Sequence, residues 1–109
     1  MPLSSQPRVI GRFTEVTANV TAAPGDKYLA DTSGGTFTIT LPTNPSDGDT
    51  VQIGDPKGTW ATSGKNLTIA RNGKTIKGEA KDLICNLANH LVLLTYSTAD
   101  QDWAVFVSR

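Results

Sequence analysis

Nucleophilic catalysis or metal binding needs His, Cys or closely set carboxylates, and this chain supplies few of them. His90 is the only histidine and Cys85 the only cysteine in 109 residues. His90 stands at a strand start beside Asn89, with no Ser or Cys in a nucleophile's sequence context, so it reads as a turn or interface residue. Cys85, near Ile84 and Leu87, reads as a small buried hydrophobe, and one Cys with one His cannot build a four-ligand zinc site within a single chain. Asp47-Gly48-Asp49 after Asn44 shares fragments with calcium loops. The closing bidentate glutamate is missing and strands flank the segment, which makes it a turn. The stretch from Gly58 to Asn66 misses a phosphate-binding loop: one residue too many separates Gly58 from Gly64, and Asn66 stands where a magnesium-binding hydroxyl belongs. The acids Asp26, Asp31, Asp47, Asp49 and Asp55 all adjoin turns, where Asp is favoured for local hydrogen bonding rather than for paired acid–base work. Lys57, Lys65, Arg71, Lys74, Lys77 and Lys81 make the middle of the chain basic, and lysines on exposed strands guard against edge-to-edge pairing. The expectation is a protein that is not an enzyme, with no cofactor, no metal and no specific nucleic-acid partner.

Composition points the same way. Ten basic residues balance ten acidic ones, so no whole-molecule field steers the chain toward nucleic acid or anionic lipid. A hydrophobic content of 38% with 18% charged residues belongs to one globular domain whose partners are chosen by shape. A single cysteine forbids an intrachain disulfide, which suits a reducing cytosol. MPLSSQPRVIGRF lacks the apolar core of a secretory signal, and no apolar run is long enough for a membrane helix. A soluble protein without a membrane partner is expected, and the sequons at Asn19 and Asn66 read simply as strand threonines.

What must position these residues is a set of short strands. Frequent threonine, Gly and Pro punctuation at short intervals and no helical periodicity predict an all-β architecture. Strands are expected near residues 8–15, 17–21, 27–31, 36–41, 50–53, 66–71, 75–77, 82–86, 90–97 and 103–108. Asn72-Gly73, flanked by Arg71 and Lys74, is the strongest hairpin signal, because both residues tolerate positive φ. In "GGTFTITLPTNP", Phe37, Ile39 and Leu41 alternate with threonines, the pattern of a half-buried wall that Pro42 ends. The fold expected is a single small β-sandwich or jelly-roll-like domain, with a small barrel as the alternative. Residues 1–13 form an extended N-terminal arm and first strand, and residues 14–109 form the sandwich. The last two strands are apolar on both faces: Leu91 and Leu93 oppose Val92, Leu94 and Tyr96, and Phe106 opposes Trp103, Val105 and Val107. A two-layer domain covers only one face of a sheet internally, so this pair belongs either to the centre of a closed roll or to a subunit interface. Val92, Leu94, Tyr96, Trp103 and Phe106 are the candidate interface residues.

The order of "GDKYLADTSGGTFTITLP", "GDTVQI", "NLTIARNGKTIKG" and a closing strand bearing Trp103 and Phe106 resembles a β-rich module of tailed-bacteriophage virion proteins. The resemblance runs from about Thr17 to Val107. Such modules are non-enzymatic, often trimeric, and displayed on the outside of the particle. The chain departs from the tail-fibre pattern in having no stalk and no coiled-coil heptads, only a short arm. The resemblance therefore implies a homotrimeric capsid decoration, or cement, protein, made in the host cytoplasm and carried on the outer surface of the virion. Its partners would be itself and the major capsid protein or another virion protein, with Leu3, Pro7, Val9, Ile10 and Phe13 of the arm anchoring it to the shell. The alternative is a tail fibre, spike or baseplate component that binds a host receptor, with Trp60 in an exposed loop stacking on a glycan.

Overall fold

The computed structural model describes residues 12–108. Ten strands follow the expected order: β1 (Thr14–Val16), β2 (Val20–Thr21), β3 (Lys27–Ala30), β4 (Phe37–Thr40), β5 (Thr50–Gly54), β6 (Leu67–Ala70), β7 (Thr75–Ile76), β8 (Leu83–Cys85), β9 (Leu91–Ser97) and β10 (Asp102–Ser108). They form two sheets facing across one core, ordered β1-β3-β5-β9-β10-β7 and β2-β4-β6-β8. The all-β, two-layer expectation therefore holds.

From β1 to β9 each connection carries the chain across to the other layer. Strands two elements apart then lie side by side and run the same way: β1, β3 and β5 pair in parallel in one sheet, and β2, β4 and β6 pair in parallel in the other. Each of β2 to β5 is thus the crossover between parallel neighbours in the opposite sheet. Antiparallel pairing begins only where β8 joins β6 and where β9 joins β5 and β10.

Register stacks like residues across this winding. Val20, Ile39, Ile69 and Leu83 form one aliphatic row on the inner face of the smaller sheet, with Phe37, Leu67 and Cys85 beside it. Facing them from the larger sheet are Tyr28, Ile53 and Val92, then Val51, Leu94 and Val105, then Tyr96 opposite Trp103 with ring centroids 5.2 Å apart. The Phe37, Ile39, Leu41 alternation points inward as its pattern requires, with Thr38 and Thr40 turned out.

One local expectation is overturned. Asn72 and Gly73 adopt the left-handed conformations their types favour (φ 51° and 90°), and Lys74 N–H donates to Arg71 O, yet no hairpin results. β6 belongs to the smaller sheet, whereas β7 pairs in parallel with β10 in the larger one. Tertiary anchors decide this: Asn72 Nδ2 donates to Leu41 O (2.9 Å) and to Thr43 Oγ1 (3.1 Å), and Asp82 Oδ1 accepts Arg71 N–H (3.0 Å). These bonds aim the chain out of one layer and into the other.

Candidate binding surface

The acids at the turns work as backbone acceptors. Asp26 accepts Ala23 N–H and the Tyr28 hydroxyl, Asp31 accepts Ser33, Asp47 accepts Thr98 N–H, and Asp49 accepts Ser46 N–H. Asp55 does most. Its Oδ1 accepts Gly58 N–H (3.0 Å) and Thr59 N–H (3.3 Å), and its Oδ2 accepts Trp60 N–H (3.3 Å) and Asn89 N–H (2.9 Å). One nearly buried carboxylate thereby ties the loop after β5 to the loop before β9. Among the described residues, no group of three or more His, Cys, Asp or Glu side chains is arranged to hold a metal ion.

That loop also fixes the place of Trp60, which does not suit the glycan contact expected of it. Its side chain is 0% exposed, Nε1 donates to Ala30 O (3.1 Å), and Asn66 Nδ2 donates to its carbonyl. Sugar stacking needs an open ring face, and here the ring is packed into the core.

The interface candidates divide according to the side of the sheet they occupy. Val92, Leu94, Tyr96 and Trp103 point inward and are buried in the protein's own core, which corrects their assignment to a subunit contact. Phe106 points the other way and is 59% exposed. It pairs with Leu93 on β9, and Leu93 pairs with Gln52 on β5. In the adjacent row Leu29 and Leu91 close over Gly54, where a Cβ would lie 3.4 Å from Leu29 Cδ2 and 3.6 Å from Leu91 Cδ1. The β9–β10 register, which alternation within each strand does not fix, groups Phe106 with Leu91 and Leu93. Of the expected arm anchors, Leu3, Pro7, Val9 and Ile10 lie outside the described residues. Phe13 is 39% exposed at the opposite edge of the same sheet, with Lys27 Nζ 5.8 Å from its ring centroid.

The other large apolar residues exposed among the described residues lie on the face of β10 opposite Phe106. Val107 is 51% exposed on β10, and Ile84 (51%) and Leu87 (53%) stand across from it in and after β8. Between them opens a cleft of about 250 Å³. Leu83, Cys85, Trp60, Val92 and Val105 line it, with Lys77, Asn86 and His90 as its polar groups. His90 Nδ1 is 2.7 Å from Ala88 O, a local loop contact. The cleft exists because the smaller sheet ends at β8, whereas the larger one continues past it through β10.

Cys85 on the cleft wall is held neutral: burial pushes its thiol up from 9.0 to about 12. Tyr28 is likewise raised from 10.0 to about 12, first by burial, then by its hydrogen bond to Asp26 and that carboxylate's charge. In the unfolded chain both groups lose their protons near their ordinary values, so the unfolded state binds fewer protons at high pH. Stability is therefore expected to stay level with respect to these two groups up to about pH 9 and to fall as pH rises toward 12, read from urea midpoints across that range. A Cys85→Ser, Tyr28→Phe double variant should show a flatter decline.

No protein-family model matches the chain, and no curated protein matches its sequence.

Proposed function

We propose that this protein is a non-enzymatic structural subunit of a tailed-phage particle: a self-associating, trimeric decoration protein on the outside of the head shell, with its N-terminal arm as the anchor to the capsid. Two things support the reading. One is the resemblance over Thr17 to Val107. The other, which carries the self-association, is that four of the five large apolar side chains exposed among the described residues lie at the β10 edge, Ile84, Leu87 and Val107 around the cleft and Phe106 on the opposite face of β10.

Scattered apolar residues on a surface need no explanation, but a contiguous group around an open edge does. Buried aromatics at the centre of a contact carry a disproportionate share of its energy. Three modest contacts closed into a ring then reinforce one another, because the last joins parts already held together. Multiple arms on one trimer would hold a repeating shell by the same arithmetic.

Phe106→Asp is expected to weaken association by about 2 kcal/mol or more per contact, seen as a shift toward single-chain mass in light scattering with an unchanged circular dichroism spectrum. Deleting residues 1–6 should leave the folded domain intact and abolish co-sedimentation with undecorated phage capsids. An oligomer that ignores capsids in the full-length form would place the protein in the tail instead.

A further inference from the structure

The exposed edge has the shape of an unfilled strand position. β7 covers β10 only at Asp102 and Trp103, and β10 then runs on to Ser108 with no described strand pairing along that side. Across the cleft, the edge of β8 away from β6 is also unpaired among the described residues. A strand placed beside β10 in line with β7 would satisfy open backbone groups of Ala104–Ser108 and turn alternate side chains into the apolar cleft. It would also cover Val107 and the rim formed by Ile84 and Leu87.

We propose that this position is filled by residues 7–11 of a second copy of the chain, an inference that rests on the self-association reading and names its contact. The segment Pro7-Arg8-Val9-Ile10-Gly11 offers a β-branched pair bounded by a proline and a glycine, on a scale that matches the open stretch of β10. It cannot reach the site within its own chain. The described chain begins at Arg12 next to β1, at the far edge of the larger sheet. Five strand spacings separate β1 from the open position, roughly 24 Å. Val9 and Ile10 lie only two or three residues before Arg12, a reach of about 10 Å. A neighbour whose β1 edge faces this β10 edge brings the segment into register and carries its own Phe13 toward Phe106, because the two aromatics stand at opposite ends of one outer-face row: Lys27, the residue before Tyr28, pairs with Gln52, Gln52 with Leu93 and Leu93 with Phe106. Donor and acceptor surfaces differ, so the contact is head-to-tail, the kind that forms a ring such as the proposed trimer when its rotation closes. Residues 1–6 are left to reach the shell.

The test is disulfide trapping in a Cys85→Ala background. Ile10→Cys protein and Val107→Cys protein are mixed, unfolded and refolded together to allow exchange, then oxidised with diamide, which takes up the two electrons and two protons released as the S–S bond forms. A covalent heterodimer on a non-reducing gel, in excess of the homodimers each single variant gives alone, is the expected result. Light scattering on the same samples separates the two ways to fail. An oligomer without the Ile10–Val107 link overturns the strand exchange and leaves self-association standing, whereas a monomer overturns both. Should the cysteine variants fail to fold, hydrogen exchange decides. Amides of residues 104–108 are expected to exchange roughly tenfold or more faster once residues 2–11 are deleted, and equal rates in the two proteins would overturn the proposal.

Discussion

Trp60→Ala will cost the fold about 3–5 kcal/mol, the range for truncating a buried aromatic. The side chain is fully buried and its indole N–H is satisfied by Ala30 O, so truncation opens a cavity and leaves an acceptor in the core without its donor. Trp60 also forms part of the cleft wall, which would lose its support from below. For a domain of this size the loss is a large part of total stability. Urea denaturation measures it directly, and a change below about 1 kcal/mol would show that the ring is not in the core. Trp60→Phe should recover most of the packing and lose the hydrogen bond, worth about 1 kcal/mol. The same substitution read as a glycan contact would leave folding untouched, so the experiment separates a core role from a surface role.

Asp55→Ala is expected to cost about 3 kcal/mol or more, because a single carboxylate serves four backbone N–H groups that would lose their shared acceptor. The effect should be non-local. Gly58, Thr59 and Trp60 belong to the loop after β5 and Asn89 to the loop before β9, and Asp55 N–H itself donates to His90 O. Asp55→Asn is the informative control: it keeps the shape but turns an NH₂ toward donors on one side, so it should recover less than half of the loss. Denaturation midpoints give the size of the effect, and hydrogen exchange at Trp60 and Asn89 shows whether both loops loosen together. Full recovery by Asn would mean that the charge and the second acceptor oxygen contribute nothing.

What sequence made legible was whatever depends on near neighbours. Alternation placed Phe37, Ile39 and Leu41 inward, and the preference of Asp for turns anticipated the local acceptor roles of Asp26, Asp31 and Asp49. Asn72-Gly73 specifies its backbone but not its topology, because a tight turn sets positive φ but not which sheet receives the next strand. The bonds that decide it reach to Leu41, Thr43 and Asp82, none of them a sequence neighbour of the turn. Trp60 shows the same limit. A Gly, Ser and Thr-rich stretch around a tryptophan looks like an exposed loop until Asp55 gathers its backbone and folds the ring inward. On β9 and β10 both faces are apolar, so hydrophobicity could not rank them. Only the facing sheet makes Val92, Leu94, Tyr96 and Trp103 core and leaves Phe106 outside.

The cleft was not visible at all in sequence, since it arises from one sheet outrunning the other. Ile84 and Leu87 sit in a short segment with no marked pattern, and Val107 belongs by parity to the inner face. It is exposed because the opposite layer has ended at β8. The apolar edge is thus a product of topology, and self-association is the use proposed for it.

The most direct measurement is the solution mass of the full-length protein by light scattering, beside Phe106→Asp at equal concentration. The proposal predicts a trimer for the first and a shift to single-chain mass for the second, with both folded. A folded protein that runs as a monomer at all concentrations, or an oligomer indifferent to Phe106→Asp, would contradict the assignment of this edge as the contact between copies.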